Sequence, residues 1–132
     1  MDNKTGVPLE LKAVDVSGIN ATSVPAGSYV FRKSAEWRDF WAKYSMGNSP
    51  KIDFAKFSAL AIFLGQRPNT GYSVKILEAR EYKQAVVVKA AEYLPAPGMM
   101  YAQLRVYPFY IVLIPKTDKG VRFETTKLVG QP

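Results

Sequence analysis

The sequence predicts an α+β domain: a mainly antiparallel β-sheet of about seven or eight strands, sandwich- or barrel-like, with one early amphipathic helix packed on it. Three observations carry this. Short segments alternate apolar and polar residues and are separated by Gly- and Pro-rich breaks. Only one stretch, Ser34–Tyr44, repeats its apolar residues at helical spacing. Strands do not alternate with helices, so there is no βαβ unit to build a parallel sheet. The 132 residues suit a single domain, 1–132, large enough to bury a core without staples. The chain shows no internal repeat and no low-complexity linker.

Val7–Val16 places Leu9, Leu11 and Ala13 on one parity and Pro8, Glu10 and Lys12 on the other, which predicts a half-buried strand with Pro8 near its start or on an edge. Ser17–Gly27 is rich in Ser, Gly, Asn and Pro and reads as a loop, followed by a short strand over Ser28–Arg32. In the helix, Trp37, Phe40, Trp41 and Tyr44 form one stripe that docks it on the sheet. Ser34 is the expected N-cap and Gly47 the expected C-cap. Phe57–Leu64 is apolar on both parities except at Ser58, so it is expected centrally, covered on both faces. A loop closed by Gly65, Pro68 and Gly71 leads into Tyr72–Arg80, which pairs as a hairpin with Gln84–Tyr93. Leu94–Gly98 breaks the chain. Strands are then expected at Met100–Tyr107, Phe109–Ile114 and, short, at Val121–Thr125, with a loose tail over Val129–Pro132.

Composition narrows the chemistry. With no cysteine there are no disulfides and no thiol nucleophile; with no histidine, the commonest general base and metal ligand are missing. The acidic residues form no spaced motif, and there is no G-x-G-x-x-G, Walker A or metal-ligand spacing. The reading is a domain that is not an enzyme and takes no cofactor and no metal. The formal net charge of +7 favours anionic partners without deciding among them. Arg105, Tyr107, Phe109 and Tyr110 mix cations and aromatics as single-strand binders do, but Phe109 and Tyr110 lie in a core-like run, so nucleic acid is the weakest partner class. No apolar run reaches the about 20 residues of a membrane helix, and the first six residues contain no signal-peptide h-region.

Recognition is the role these exclusions leave. In the loop after Phe57–Leu64, Pro68 fixes a backbone angle, Gly71 permits positive φ, and Asn69 and Thr70 supply turn hydrogen bonds. A rigid loop of this kind loses little entropy on contact. The candidate partner-binding set is therefore Gln66, Arg67, Pro68, Asn69, Thr70, Gly71 and Tyr72, with Pro97 and Gly98 from the later break.

Five pieces of the chain, in order, carry a resemblance: S-A-E-W-R-D-F-W (34–41), P-K-I-D-F (50–54), L-A-I-F-L-G-Q-R-P-N-T-G-Y-S-V (60–74), L-P-A-P-G (94–98) and Y-P-F-Y-I-V-L-I-P (107–115). Over Phe31–Pro115 the chain resembles the C-terminal domain of PrcB-type proteins, non-catalytic subunits of bacterial protease complexes. The family loop reads G-x-x-P-T-G-G-Y; here Asn69 and Thr70 stand for Thr-Gly while Pro68, Gly71 and Tyr72 are kept. The resemblance implies an extracytoplasmic domain (periplasmic, secreted or on the cell envelope) that contacts or stabilises a partner protease. A second, weaker resemblance is to chagasin-type cysteine-protease inhibitors, whose N-P-T-T-G-Y loop is similar at Pro68, Thr70, Gly71 and Tyr72, and whose R-P-F is similar at Pro108 and Phe109. It implies the alternative of an inhibitor presenting the Arg67–Tyr72 loop.

Overall fold

The computed structural model describes residues 6–130. The elements in order are β1 (Val7–Pro8), β2 (Lys12–Ala13), β3 (Gly27–Phe31), α1 (Ser34–Lys43), β4 (Phe57–Phe63), β5 (Ser73–Glu81), β6 (Ala85–Leu94), β7 (Phe109–Pro115) and β8 (Gly120–Val129). They form two four-stranded sheets, one ordered β1-β5-β6-β8 and the other β2-β7-β4-β3. The sheets stack as a sandwich, with α1 packed on the outer face of the second.

The second sheet is thus a middle layer, and this explains its sequence. Along β4, Ala59, Ala61 and Phe63 face the helix-side core, while Leu60 and Ile62 face the core between the sheets. Along β7, Ile111 and Leu113 take the first side and Val112 and Ile114 the second. A strand with no solvent face has no polar parity, so both read as continuous apolar runs. Helix α1 buries Trp37 and Trp41 and half-buries Phe40 and Tyr44. Phe31 meets Trp37 edge-on at 5.1 Å, and Phe40 meets Tyr29 at 4.8 Å. Each buried aromatic contributes roughly 1.5–3 kcal/mol, and the geometry adds to that.

The helix ends differ from expectation. Lys33 occupies the N-cap position with no side-chain cap bond, and Ser34 is already helical; Glu36 in the first turn accepts from the Arg32 N–H at 3.1 Å instead. At the other end Ser45, not Gly47, takes the left-handed position, with φ 52°. The Ser45 N–H donates to Ala42 O at 3.2 Å and the Met46 N–H to Trp41 O at 3.0 Å, a Schellman closure. Its hydrophobic member is Met46, fully buried in the helix-side core.

Three strand expectations are corrected. Val7–Val16 is two short strands: Val7–Pro8 pairs with β5 and Lys12–Ala13 with β7. Leu9 and Leu11 do turn to the inter-sheet core, but the chain passes from one sheet's edge to the other between them. Met100–Tyr107 is no strand, because both parities over Ala102–Arg105 are exposed and only Val106 forms a bridge, to Arg67. β8 is ten residues long rather than five, and it runs parallel to β6. The parallel direction follows from topology: β7 carries the chain through the other sheet back to the end where β6 began. In the β5–β6 hairpin the register shifts between Ile76 and Glu78, a bulge that moves the inward parity from Val74 and Ile76 to Ala79 and leaves Leu77 exposed. Gln131 and Pro132 of the expected loose tail lie outside the described residues.

Candidate partner-binding loops

Two long connections cross from sheet to sheet at the same end of the sandwich. One follows β4 and covers 64–72; the other follows β6 and covers 95–108. They are laced together. The Leu64 N–H donates to Pro108 O at 2.9 Å. Arg67 and Val106 exchange both backbone bonds, at 2.8 and 2.9 Å. The Thr70 N–H donates to Ala102 O at 3.1 Å, and Ala102 returns its N–H to Thr70 Oγ1 at 3.0 Å.

The predicted residues divide into those that build this end and those that face out from it. Arg67 builds. Its guanidinium donates to Glu92 Oε2 at 2.9 Å and Oε1 at 3.3 Å, and to the carbonyls of Leu64 at 2.9 Å and Gln66 at 3.1 Å. Glu92, on β6, is 6% exposed, so the pair fastens the first loop to the first sheet. Asn69 builds as well: its Oδ1 accepts from the Gly71 N–H at 2.8 Å, closing an Asx turn. Gly71 is buried, and it is required by close approach rather than by a positive φ, since a Cβ there would stand 2.9 Å from Pro95 Cβ. Tyr72 is half-buried beside Val106, Pro108 and Phe109. Gln66, Pro68, Thr70, Pro97 and Gly98 are exposed. Of the Arg67–Tyr72 loop, Pro68 and Thr70 face out while the Arg67 guanidinium is turned inward.

Sequence reading missed the most prominent feature of this end. Ala96–Met99 is a type II turn: Pro97 follows Ala96, Gly98 has φ 79°, and the Met99 N–H donates to Ala96 O at 3.3 Å. The Ala96 N–H in turn donates to the Tyr101 hydroxyl at 3.0 Å. Between the anchored residues Ala96 and Tyr101, a short prong carries Met99, 64% exposed, and Met100, 97% exposed. Leu104, 62% exposed, adds to the same loop. The signal was present as adjacent methionines directly after a Pro-x-Pro-Gly break; placing 100–107 in a strand concealed it.

Near the loops, Glu92 is committed to Arg67. A groove of 620 Å³ lies elsewhere, lined by Lys12, Asp15, Ile19, Lys51, Asp53 and Phe57 among others. Its two carboxylates serve local turns. Hydrogen bonds from the Ser17 hydroxyl and N–H hold Asp15 below the usual carboxylate range, and Asp53 accepts from the Ala55 N–H at 3.0 Å. Among the described residues no group of three or more His, Cys, Asp or Glu side chains could hold a metal ion, and no helix is long and apolar enough to cross a membrane. Of the mixed cation–aromatic set, Phe109 stacks on Phe63 at 5.6 Å and Tyr110 packs into the inter-sheet core, so neither is a free stacking platform.

The segment that supplies both crossings is the one with a known likeness. Residues 58–115 match the PrcB C-terminal family. The match takes in β4, both crossing loops, β5, β6 and β7, and leaves out the helix, the N-terminal strands and β8. No curated protein and no solved structure matches the chain.

Proposed function

We propose that this chain is a non-catalytic protein-binding domain of a protease complex, and that it docks on its partner through the two laced loops. The observation that carries the reading is the Met99–Met100 prong: two large flexible apolar side chains held in water on a braced turn. An exposed apolar cluster on a rigid support marks an interaction site, and methionine adapts to the shape of a partner pocket. The rim is polar, with Gln66, Thr70, Gln103 and Arg105, as around an interface centre. The PrcB C-terminal match supports a protease as the partner class. We also propose an extracytoplasmic setting, where a secreted protease would be met.

A photo-crosslinking residue in place of Met100 tests the reading, with the same residue in place of exposed Lys75 as the control. Both are incubated with the extracellular and envelope fractions of the source cells. Crosslinking to a protease from position 100 and not from position 75 is expected. Equal labelling from both positions, or adducts to no protease, would overturn it.

A further inference from the structure

We propose that β8 is a dimerisation edge, pairing antiparallel with β8 of a second copy across a two-fold axis at Thr125. β8 closes one side of the first sheet, and its ten residues pair with β6 without a register shift, from Ala85↔Gly120 to Leu94↔Val129. The Gly130 N–H donates to Leu94 O at 2.8 Å. Backbone groups of a strand alternate sides, so the even-numbered residues of β8 direct N–H and C=O at β6. Val121, Phe123, Thr125, Lys127 and Val129 direct theirs outward, into solvent. From Glu124 to Val129 every residue is exposed. Native sheets blunt such edges with proline, bulges, short strands or charged side chains. Between Val121 and Val129, β8 has no proline or bulge and is not short; its charges are Arg122, Glu124 and Lys127, and it is rich in β-forming Val, Phe and Thr.

Self-pairing fits this edge. A two-fold axis perpendicular to the sheet keeps the faces aligned, so each residue must oppose one of its own parity. Centring the axis on Thr125 sets Val121 against Val129 and Phe123 against Lys127, and every outward donor and acceptor finds a partner. On the other face Arg122 meets Leu128 and Glu124 meets Thr126, with no like charges opposed. Centring one residue earlier would set Glu124 against itself. Isologous two-fold pairing is also the commonest form of homo-oligomer. Each copy carries a formal +7, so the copies repel at long range and salt should strengthen the dimer.

Sedimentation equilibrium over about 1–300 μM, at about 0.15 and 0.5 M NaCl, measures the association. A dimer that tightens with salt is expected. Thr125→Pro removes an outward donor without touching the β6 ladder. Thr125→Glu sets two like charges directly opposite each other at the axis, on Cα atoms roughly 5.5 Å apart, while lowering the net charge, and it serves if the proline variant fails to fold. Each should weaken the dimer by at least tenfold, whereas Met100→Asp should leave it unchanged, which separates this edge from the partner-binding loops. At dimer concentrations the outward amides of Phe123, Thr125 and Lys127 should slow in hydrogen exchange. A monomer throughout, or a dimer indifferent to both Thr125 variants, would overturn the proposal.

Discussion

Replacing Arg67 by alanine tests whether the first loop is held by the Glu92 ion pair. The guanidinium makes two bonds to Glu92 and two to backbone carbonyls, and the Glu92 side chain is 7% exposed against 28% for Arg67. Removing the cation leaves a buried carboxylate without its partner. Breaking a buried pair in this way costs about 3–5 kcal/mol, and the partial exposure of Arg67 places the effect near 3 kcal/mol. For a domain of this size that is on the order of 10 °C in Tm. The double variant Arg67→Met/Glu92→Leu removes both charges with similar volume and should recover to within about 1 kcal/mol of the parent. Urea denaturation followed by the fluorescence of Trp37 and Trp41, both in the helix-side core, gives all three stabilities. If Arg67→Ala falls within 1 kcal/mol of the parent, or the double variant is worse than the single, the pair does not fasten the loop.

Three further outcomes are expected. Gly71→Ala places a Cβ 2.9 Å from Pro95 Cβ and 3.0 Å from Asn69 Oδ1, and should cost about 1–3 kcal/mol, read by denaturant midpoint. Ser45→Gly relieves the left-handed backbone at the helix C-terminus and should stabilise by about 1 kcal/mol, while Ser45→Val should destabilise; thermal melts distinguish them. Burial, with a smaller contribution from Tyr44, raises the Tyr29 hydroxyl above its ordinary value of 10. The folded value lies above the unfolded one, so the stability it contributes is complete below about pH 10 and is lost as the pH rises through the folded value. Tyr29→Phe should flatten that alkaline decline, measured as denaturant midpoint against pH.

Legibility followed the range of the interaction. The aromatic stripe of α1 and the two-sided apolarity of β4 are local patterns imposed by burial, so both could be read directly. The break at Val7–Val16 could not, because Leu9 and Leu11 keep the right parity while the backbone changes partner between them. Nor could the length and direction of β8: Thr125–Val129 is held by its ladder to β6 with no buried face to mark it, and the parallel pairing is set by where β7 delivers the chain. The breaks at 64–72 and 94–98 are loops as the sequence reads them, but the bonds made inside them were not legible. Arg67 and Asn69, polar and on a turn, looked like recognition groups and are internal fasteners. Their partners Glu92 and Gly71 could be known only once β6 and the Pro95 turn were brought alongside.

This internal bonding has a physical basis in the topology. β4 and β6 lie in different sheets and both end at the same side of the sandwich, so the chain must cross there twice, in opposite directions. Two crossings without strand structure leave many backbone groups to satisfy, and the loops do so by bonding to each other at Leu64–Pro108, Arg67–Val106 and Thr70–Ala102. Arg67, Asn69 and Thr70 are used in that closure. What remains to face solvent at the prong is apolar, Met99 and Met100, carried on a turn that cannot collapse inward because Ala96 and Tyr101 pin its base. The segment 58–115 that matches the PrcB C-terminal family contains the strands that force the double crossing and both crossings themselves. Substitution of the prong should therefore abolish partner contact with little change in stability, whereas substitution of Arg67 or Gly71 should damage both together.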